Sequence, residues 1–204
     1  MIHVVTKANR SIYQAQMEEQ FRIRHDIYVK QRKWIALDRP DGREIDQFDN
    51  DDATYLLMLE DNRVIGGSRF VPTTKPHLMS EVFAFLANVR GVPRGHDIVE
   101  WTRIFIIPEK RTAFNLKKIY AGVLEYCLDE GYNKITIVME TWWIPRFLEL
   151  GWDVIPLGEP MMHDNMEIVA VMVNIEQEKY EQLKHQIKID KNILRYNKIN
   201  NINY

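Results

Sequence analysis

Two groups of charged residues in this 204-residue chain could do chemistry. The first is the segment 41–52, in which six of twelve residues are Asp or Glu, and the second is the run Glu-Trp-Thr-Arg at 100–103. Carboxylates transfer protons and attract cations, whereas guanidinium groups bind carboxylates in a fixed fork geometry. Arg24 lies within an apolar pattern, and a buried guanidinium without a partner is very costly. We therefore expect Arg24 to pair with the acidic segment, and Arg69 is a further candidate residue.

Each of these groups also has a simpler interpretation. An acidic stretch is most often a solvated loop, although Ile45 and Phe48 within it indicate partial anchoring. Arg24 could extend from the edge of a helix stripe to water. Glu100 and Arg103 could belong to an exposed strand face, since residues three apart on a regular strand point to opposite sides unless the strand is bulged.

Composition and motifs exclude several other classes of function. Twenty-seven Lys and Arg against 29 Asp and Glu give a net charge of -2, so no basic field indicates binding to nucleic acid or to an anionic membrane. The single cysteine, Cys127, cannot form an internal disulfide, and the six histidines are scattered, so we expect no metal and a cytoplasmic location. The dinucleotide, phosphate-loop, serine-hydrolase and HExxH signatures are absent from the sequence.

The elements that position these residues follow from periodicity and from turn residues. Tyr13, Met17, Phe21, Arg24 and Tyr28 share one face of a predicted helix. The other predicted elements are a hairpin (54–59 and 63–71) with a glycine pair marking a bulge or close approach, helices at 78–86, 112–130 and 141–150, and strands at 98–107, 134–139, 152–157 and 166–173. This order predicts an α/β fold, a three-layer α-β-α sandwich with a mixed central sheet. We expect one domain over 1–188 and a flexible C-terminal tail over 189–204.

Taken together, the motifs between about residues 17 and 157 resemble those of the N-acyl-homoserine lactone synthases, the autoinducer synthases of bacterial quorum sensing. The matching pieces are Arg-His-Asp-Ile-Tyr at 24–28 with Trp34, Glu-Ile-Asp-Gln-Phe-Asp at 44–49, Gly-Ser-Arg-Phe-Val-Pro-Thr-Thr at 67–74, Pro76, Leu78, Met79, Phe83, and Glu-Trp-Thr-Arg at 100–103. Tyr28 stands where the family usually has Phe, which adds a hydroxyl group that needs a partner. The order and intervals make the resemblance specific.

The resemblance implies a GCN5-type acyltransferase-like fold, in which two parallel strands splay apart around an acyl thioester. It also implies a reaction: the α-amine of S-adenosylmethionine attacks the thioester, and its carboxylate then displaces methylthioadenosine to close the lactone. The strands at 98–107 and 134–139 are the expected splayed pair. The usual pyrophosphate loop of the acetyltransferases is missing after Pro108, which argues against ordinary acetyl-CoA chemistry.

This reaction suggests a role for each charged or aromatic candidate. We expect Glu100 to act as the general base, because the amine must lose its proton before it attacks. Arg103 would hold the substrate carboxylate, and the acidic residues Asp46 and Asp49 would attract the cationic groups of the substrate. The remaining assignments are Arg24 and Arg69 as organisers of the acidic segment, and Trp34 and Phe83 as aromatic walls for the adenosine and the sulfonium.

Large rings are expected to line the acyl pocket, although each of them could equally belong to the core. These rings are Trp101, Trp142, Trp143 and Phe147. They favour a short branched or aryl acyl group, and synthases that use such groups tend to take them from coenzyme A, with acyl carrier protein as the alternative donor. We expect a monomer with no cofactor and with small-molecule substrates. Two alternatives remain: an amine N-acyltransferase that uses another amine, and a non-catalytic ligand sensor.

Overall fold

The computed structural model describes residues 1–197, in which a mixed nine-stranded sheet carries helices on both faces. The strands are β1 (Ile2–Val5), β2 (Thr54–Glu60), β3 (Arg63–Pro72), β4 (Ile98–Ile106), β5 (Lys134–Glu140), β6 (Val154–Pro156), β7 (Met161–His163), β8 (Met166–Asn174) and β9 (Leu194–Tyr196). The α-helices are α1 (Gln14–Arg24), α2 (Leu78–Glu81), α3 (Ala113–Glu130), α4 (Ile144–Glu149) and α5 (Gln177–Gln186). The sheet order is β6-β8-β5-β4-β3-β2-β1-β9, with β7 paired to β8. The predicted α/β sandwich with a mixed sheet is confirmed.

The N-terminal helical segment buries the face predicted from its spacing. A 3-10 turn (Arg10–Tyr13) leads into α1, and a π-helical turn (His25–Gln31) follows it. Tyr13, Met17, Arg24 and Tyr28 are all buried, with Arg24 completely inaccessible to solvent. The arginine on the apolar stripe therefore points inward, and the interpretation in which it extends to water is wrong.

The glycine pair in β3 allows neighbouring backbone to approach closely. A Cβ atom added at Gly66 would lie 2.9 Å from the carbonyl oxygen of Phe105, and one at Gly67 would lie 2.7 Å from that of Leu56. Both distances are shorter than a side chain tolerates. The predicted close approach is confirmed, and it lets β2, β3 and β4 pack as one continuous sheet.

The two central parallel strands separate after a short pairing. β4 and β5 are hydrogen-bonded only from Ile98↔Lys134 to Glu100↔Thr136, and the strands then splay apart. On the other side of β4 the register against β3 shifts between Gly67 and Arg69, which leaves one extra residue in β4. Arg103, with a φ of 55°, sits in this bulge. The predicted splay is confirmed, and the bulge lies beside it.

Helix α3 packs beneath this region with the ends that the sequence predicted. Thr112 caps its N-terminus by accepting the amide hydrogen of Asn115 at 3.1 Å, and Gly131 ends it with a φ of 77°. None of the helices within residues 1–197 is both long and apolar enough to span a bilayer.

Several predicted boundaries are wrong in detail. The helix predicted at 78–86 is two short pieces, α2 and a 3-10 turn (Ala84–Ala87). The helix predicted at 141–150 begins as a 3-10 turn (Thr141–Trp143) before α4. The strand predicted at 152–157 is only β6, and β7 was not predicted because its three residues are all exposed and carry no alternating pattern.

The C-terminal tail predicted at 189–204 is wrong where the structure describes it. β9 pairs in parallel with β1, and Ile193 and Leu194 are buried. The carboxylate of Glu125, itself buried in α3, accepts the amide hydrogens of Ile193 at 2.8 Å and Leu194 at 3.2 Å. These contacts fix the segment in place, and the pattern was missed because a three-residue strand has too little periodicity to read. The rest of the predicted tail, 198–204, lies outside the described residues.

Candidate active site

The acidic segment and the predicted arginines form one buried ion network. Arg24 donates to Glu44 (Nε to Oε2, 2.6 Å) and makes a fork to Asp49, both bonds at 2.8 Å. Arg69 makes a similar fork to Asp46, with bonds of 2.6 and 2.9 Å. The acidic segment is therefore anchored to α1 and β3 instead of being a solvated loop.

Arg103 completes the network from the bulge in β4. Its Nη2 donates to Glu44 at 3.0 Å and to Asp46 at 2.7 Å. Three guanidinium groups thus face three carboxylates, and the formal charge of the network sums to zero. The carboxylates offer oxygens within 4.8 Å of one another, a spacing that suits a cation, but the arginines already neutralise them and we expect no metal there.

Burial and ion pairing have opposing effects on the acids in this network. Burial alone would raise the pKa of Asp49, but the guanidinium groups of Arg24 and Arg69 more than offset it and hold that pKa well below its usual range. Burial would also raise the pKa of Asp46, but the guanidinium groups of Arg69 and Arg103 outweigh burial and lower that pKa. Both carboxylates therefore stay ionised, and the arginines neutralise their charge. The expectation that Asp46 and Asp49 attract the substrate's cations is not supported by this geometry.

A cavity of about 730 Å³ opens beside the network and runs through the gap between β4 and β5. This volume is typical of a small-molecule site. On the face that carries the acidic segment, its walls include Trp34, Asp46, Leu78, Phe83 and Arg103. On the α3 face they include Trp101, Tyr120, Met139, Trp143 and Phe147. The splayed strands therefore join a partly charged compartment to an apolar aromatic one.

In the charged compartment, Trp34 and Phe83 both line the cavity. Trp34 stacks on Tyr28 with ring centroids 4.9 Å apart, and the Tyr28 hydroxyl group donates to the carbonyl oxygen of Ile104 at 2.6 Å. Burial raises the pKa of Tyr28 to about 12. The hydroxyl group that distinguishes Tyr28 from Phe thus has a partner, and it fixes the ring that supports Trp34.

Arg103 has one donor that the network does not use. Its Nε and Nη2 bind Glu44 and Asp46, whereas Nη1 has no acceptor within residues 1–197. Because Arg103 also lines the cavity, this nitrogen can meet a substrate carboxylate. The predicted binding of a substrate carboxylate by Arg103 is compatible with this geometry, although most of its donors bind the acids of the network.

Glu100 lies elsewhere than predicted. Its side chain is fully buried, and its two oxygens accept the amide hydrogens of Leu78 at 2.9 Å and Met79 at 2.6 Å. Burial raises its pKa, while the Met79 amide and the nearby His77 oppose the rise. Glu100 is absent from the cavity walls, so the expectation that its carboxylate faces the splayed gap as a base is not met. In the structure, the carboxylate of Glu100 fixes the start of α2, which forms one wall of the cavity.

Trp142 also departs from the prediction. It is 47% exposed and lies outside the cavity, stacked on Trp143 with centroids 4.5 Å apart. The guanidinium of Arg146 lies 4.8 Å from its ring centroid. Trp101, Trp143 and Phe147 do line the cavity, so three of the four predicted rings come together there.

A second cavity of about 430 Å³ adjoins the first, and the two share Arg32, Ile104 and Trp143 as wall residues. It also contains Arg111 and Arg146 and reaches the first residues of α3. Arginines beside the N-terminus of a long helix form a favourable environment for anionic groups. This place was not predicted, because the usual pyrophosphate motif is absent there.

Sequence reasoning missed three carboxylates in the main cavity, the exposed Asp38 and Asp164 and the buried Glu140. Glu140, at the end of β5, is 8% exposed and lines the cavity. Its Oε1 accepts from Nη1 of Arg32 at 2.7 Å. A single Glu at a strand end carries no motif, and its partner lies 108 positions away in the sequence.

Comparisons with known proteins agree with this geometry. An autoinducer synthase family model matches residues 8–183. The isovaleryl-homoserine lactone synthase of Bradyrhizobium diazoefficiens is 47% identical over 188 residues, which cover 92% of this chain and 85% of that protein. The solved structure of BjaI, a CoA-dependent acyl-homoserine lactone synthase with SAM and isopentyl-CoA, superposes with a TM-score of 0.95 at 44% identity and covers 98% of this chain and 94% of that one. The structure of MesI, another CoA-dependent acyl-homoserine lactone synthase, gives a TM-score of 0.88 at 43% identity, with 95% and 98% covered.

The fold and the divided cavity define an acyltransferase of the α/β class with splayed strands. Within that class, the chain belongs to the autoinducer synthase family.

Proposed function

We propose that this protein is an acyl-homoserine lactone synthase that joins S-adenosylmethionine to a short branched acyl group carried by coenzyme A. The observation that carries the proposal is the cavity through the β4–β5 gap, with a partly charged compartment on one side and an aromatic one on the other. A two-substrate reaction needs both compartments to meet at one point. The amine substrate fits the charged side, and the acyl chain fits the aromatic side.

The amine side has groups suited to each part of S-adenosylmethionine. Nη1 of Arg103 is placed to bind the carboxylate, and the rings of Trp34 and Phe83 offer faces for the adenosine and the sulfonium. Arg24 and Arg69 act indirectly, since they hold the acidic segment that carries Asp46 into the wall. The ion network in this view is a rigid support for the site.

The acyl side favours a short group. Tyr120 and Phe147 are buried with ring centroids 5.7 Å apart, and Trp101 packs 6.0 Å from Tyr120. Rings packed this closely exclude a long straight chain sterically. The relative from Bradyrhizobium, named for an isovaleryl product, supports a branched donor here as well.

Coenzyme A is favoured over acyl carrier protein by the second cavity. Arg111 and Arg146, together with Arg32, which also binds Glu140, line a pocket next to the proposed thioester position, where the phosphates of coenzyme A would lie. The two solved relatives described above as CoA-dependent support the same donor. Acyl carrier protein, which presents its acyl group on a phosphopantetheine arm, is the competing donor. We also propose a cytoplasmic monomer with no further cofactor.

The test is a donor panel with the purified protein and S-adenosylmethionine. Isovaleryl-CoA, hexanoyl-CoA, an aryl-CoA and octanoyl-acyl carrier protein are supplied in turn, and methylthioadenosine, free thiol and product mass are measured. We expect equal amounts of methylthioadenosine and lactone with isovaleryl-CoA and at least tenfold lower kcat/KM with octanoyl-acyl carrier protein. Acylation of another amine without methylthioadenosine release would indicate the N-acyltransferase alternative, and a preference for the carrier protein would overturn the donor assignment.

A further inference from the structure

The reaction proposed above needs a group that removes a proton from the amine, and the structure leaves that role open. Even at a peptide N-terminus an α-ammonium group has a pKa of about 7.7–8.0, so at neutral pH we expect most of the substrate amine to be protonated and unable to attack. Glu100 does not border the cavity, and both its oxygens are bound by backbone amides. Asp46 borders it, but Arg69 and Arg103 bind both its oxygens.

Glu140 is the carboxylate whose position suits this step. It lies four residues beyond Thr136, the last β5 residue paired with β4, just as Ile104 lies four beyond Glu100. Glu140 and Arg103 both line the main cavity, on the two strands that border the gap. Along β5, Thr136 and Glu140 lie on the face opposite to Ile137 and Met139, which pack into the main core with α3. Glu140 thus projects on the side proposed for the amine substrate.

The hydrogen bonding of Glu140 leaves one oxygen available. Oε1 is held by Arg32, and Oε2 has no partner within residues 1–197. The side chain of Glu140 is only 11% exposed and that of Arg32 31%. The other charged or titratable groups that line this cavity are Tyr28, Asp38, Arg39, Asp46, Arg103, Tyr120, His163 and Asp164. Burial raises the pKa of Tyr28 and of Tyr120, so both phenols stay protonated at neutral pH and cannot accept the proton. The carboxylate of Asp38 accepts from His25 and is exposed, and His163 and Asp164 are exposed beside each other, so none of the three is held in the gap.

We propose that Glu140 is the proton acceptor for the amine, with Arg32 as the residue that positions it. Oε2 of Glu140 takes one proton from the α-ammonium. The freed nitrogen lone pair attacks the thioester carbonyl, the C–N bond forms and the C–S bond breaks. The second proton lost from nitrogen goes to the departing thiolate, and the proton on Glu140 passes to water. This inference rests on the proposed function and adds a residue to it.

The test compares Glu140→Gln with two matched Glu→Gln variants over a range of pH. Glu149→Gln on the exposed side of α4 is the inert control, and Glu100→Gln tests the competing carboxylate. For each protein, kcat, KM for S-adenosylmethionine and product release are measured between pH 6.5 and 9.5, together with the thermal midpoint. We expect Glu140→Gln to lower kcat by ~10²-fold or more at pH 7, since general bases contribute 10²–10⁴-fold, and to regain activity as pH rises and the free amine accumulates.

Two further outcomes decide the matter. Arg32→Met leaves the carboxylate in place without its orienting partner; at saturating isovaleryl-CoA, because Arg32 also borders the proposed donor pocket, it should lower kcat less than Glu140→Gln does and should not show the recovery of activity at high pH expected of Glu140→Gln. The inference is overturned if folded Glu140→Gln keeps kcat within about threefold of the wild type, or if its loss is the same at every pH. If the wild type itself releases no methylthioadenosine, the proposed function fails first, so the two failures are distinguishable.

Discussion

Replacing Arg24 by Met should destabilise the whole fold, because it removes a cation that binds two fully buried carboxylates. Arg24 donates three hydrogen bonds of 2.6–2.8 Å to Glu44 and Asp49, and none of these three side chains is accessible to solvent. Breaking a buried pair by removal of one partner costs about 3–5 kcal/mol. Arg103 would still neutralise Glu44, and Arg69 would still lie 2.9 Å from Asp49. We therefore expect a loss near the lower end, about 3 kcal/mol.

Urea and thermal unfolding followed by circular dichroism measure this loss. For a chain of this size, each kcal/mol shifts Tm by roughly 2–4 °C, so the variant should melt about 6–12 °C lower. Arg24→Lys is the matched control: it keeps the charge but cannot make the fork, and it should recover part of the difference. A variant whose free energy of unfolding lies within about 0.5 kcal/mol of the wild type would refute the reasoning, since that range is typical of surface substitutions.

Three further predictions follow from the same geometry. Asp46 and Asp49 have lowered pKa values in the folded state. Their contribution to stability is therefore present above the unfolded Asp pKa of about 3.9 and is lost as pH falls below it. Tm measured from pH 7 to pH 3 should drop steeply below pH 4, and the drop should be less steep in Asp49→Asn. Glu100→Gln replaces one of the two carboxylate oxygens that accept from the α2 amides by an NH2 group, which is a donor facing those amides. The variant should lose activity by ~10²-fold and have a lower Tm, while the shape of its pH–rate profile is unchanged. A loss of activity confined to low pH would instead restore Glu100 as the base. Trp143→Ala should raise kcat/KM for longer straight-chain thioesters by ~10-fold relative to the short donor, because apolar contacts discriminate by about 1–3 kcal/mol, and KM for S-adenosylmethionine should stay unchanged. Trp142 lies outside the cavity, so Trp142→Ala should leave the donor preference unchanged. Equal effects of the two variants would contradict the placement of Trp142.

The parts of the site that could be predicted from sequence are those governed by one strong local constraint. The spacing from Tyr13 to Tyr28 placed Arg24 on a buried helix face, and the high cost of an unpaired guanidinium then required a carboxylate nearby. The structure provides Glu44 and Asp49, both in the acidic segment. Helix periodicity therefore predicted that Arg24 is buried, and the need to neutralise its charge predicted its contact with the acidic segment.

The parts that could not be predicted depend on where backbone irregularities fall. Alternation places Glu100 and Arg103 on opposite faces, but the bulge with a positive φ at Arg103 brings that side chain to the face of the acidic segment. Glu100 meets the α2 amides only because residues 77–79 turn back over β4. Neither event has a sequence signature, since Arg is an unusual choice for a positive φ.

The neutrality of the ion network has a consequence for how two very different substrates share one cavity. Three arginines cancel three carboxylates, so the network exerts little net field on the cavity, although it contains six charged side chains within hydrogen-bonding distance of one another. S-adenosylmethionine carries a sulfonium and an ammonium, whereas coenzyme A carries phosphates. A strongly acidic wall would attract the first and repel the second, and a strongly basic wall would do the reverse. We expect local groups to discriminate at each end: Glu140 and the aromatic faces at the proposed amine side, and Arg111 and Arg146 at the proposed donor side. Burial of the three arginines requires Glu44, Asp46 and Asp49 of the acidic segment, because each buried guanidinium must be neutralised, whereas Asp41, Asp51 and Asp52 are exposed. We infer that the substrates are recognised by groups outside the neutral network, together with the Arg103 nitrogen that has no acceptor within residues 1–197.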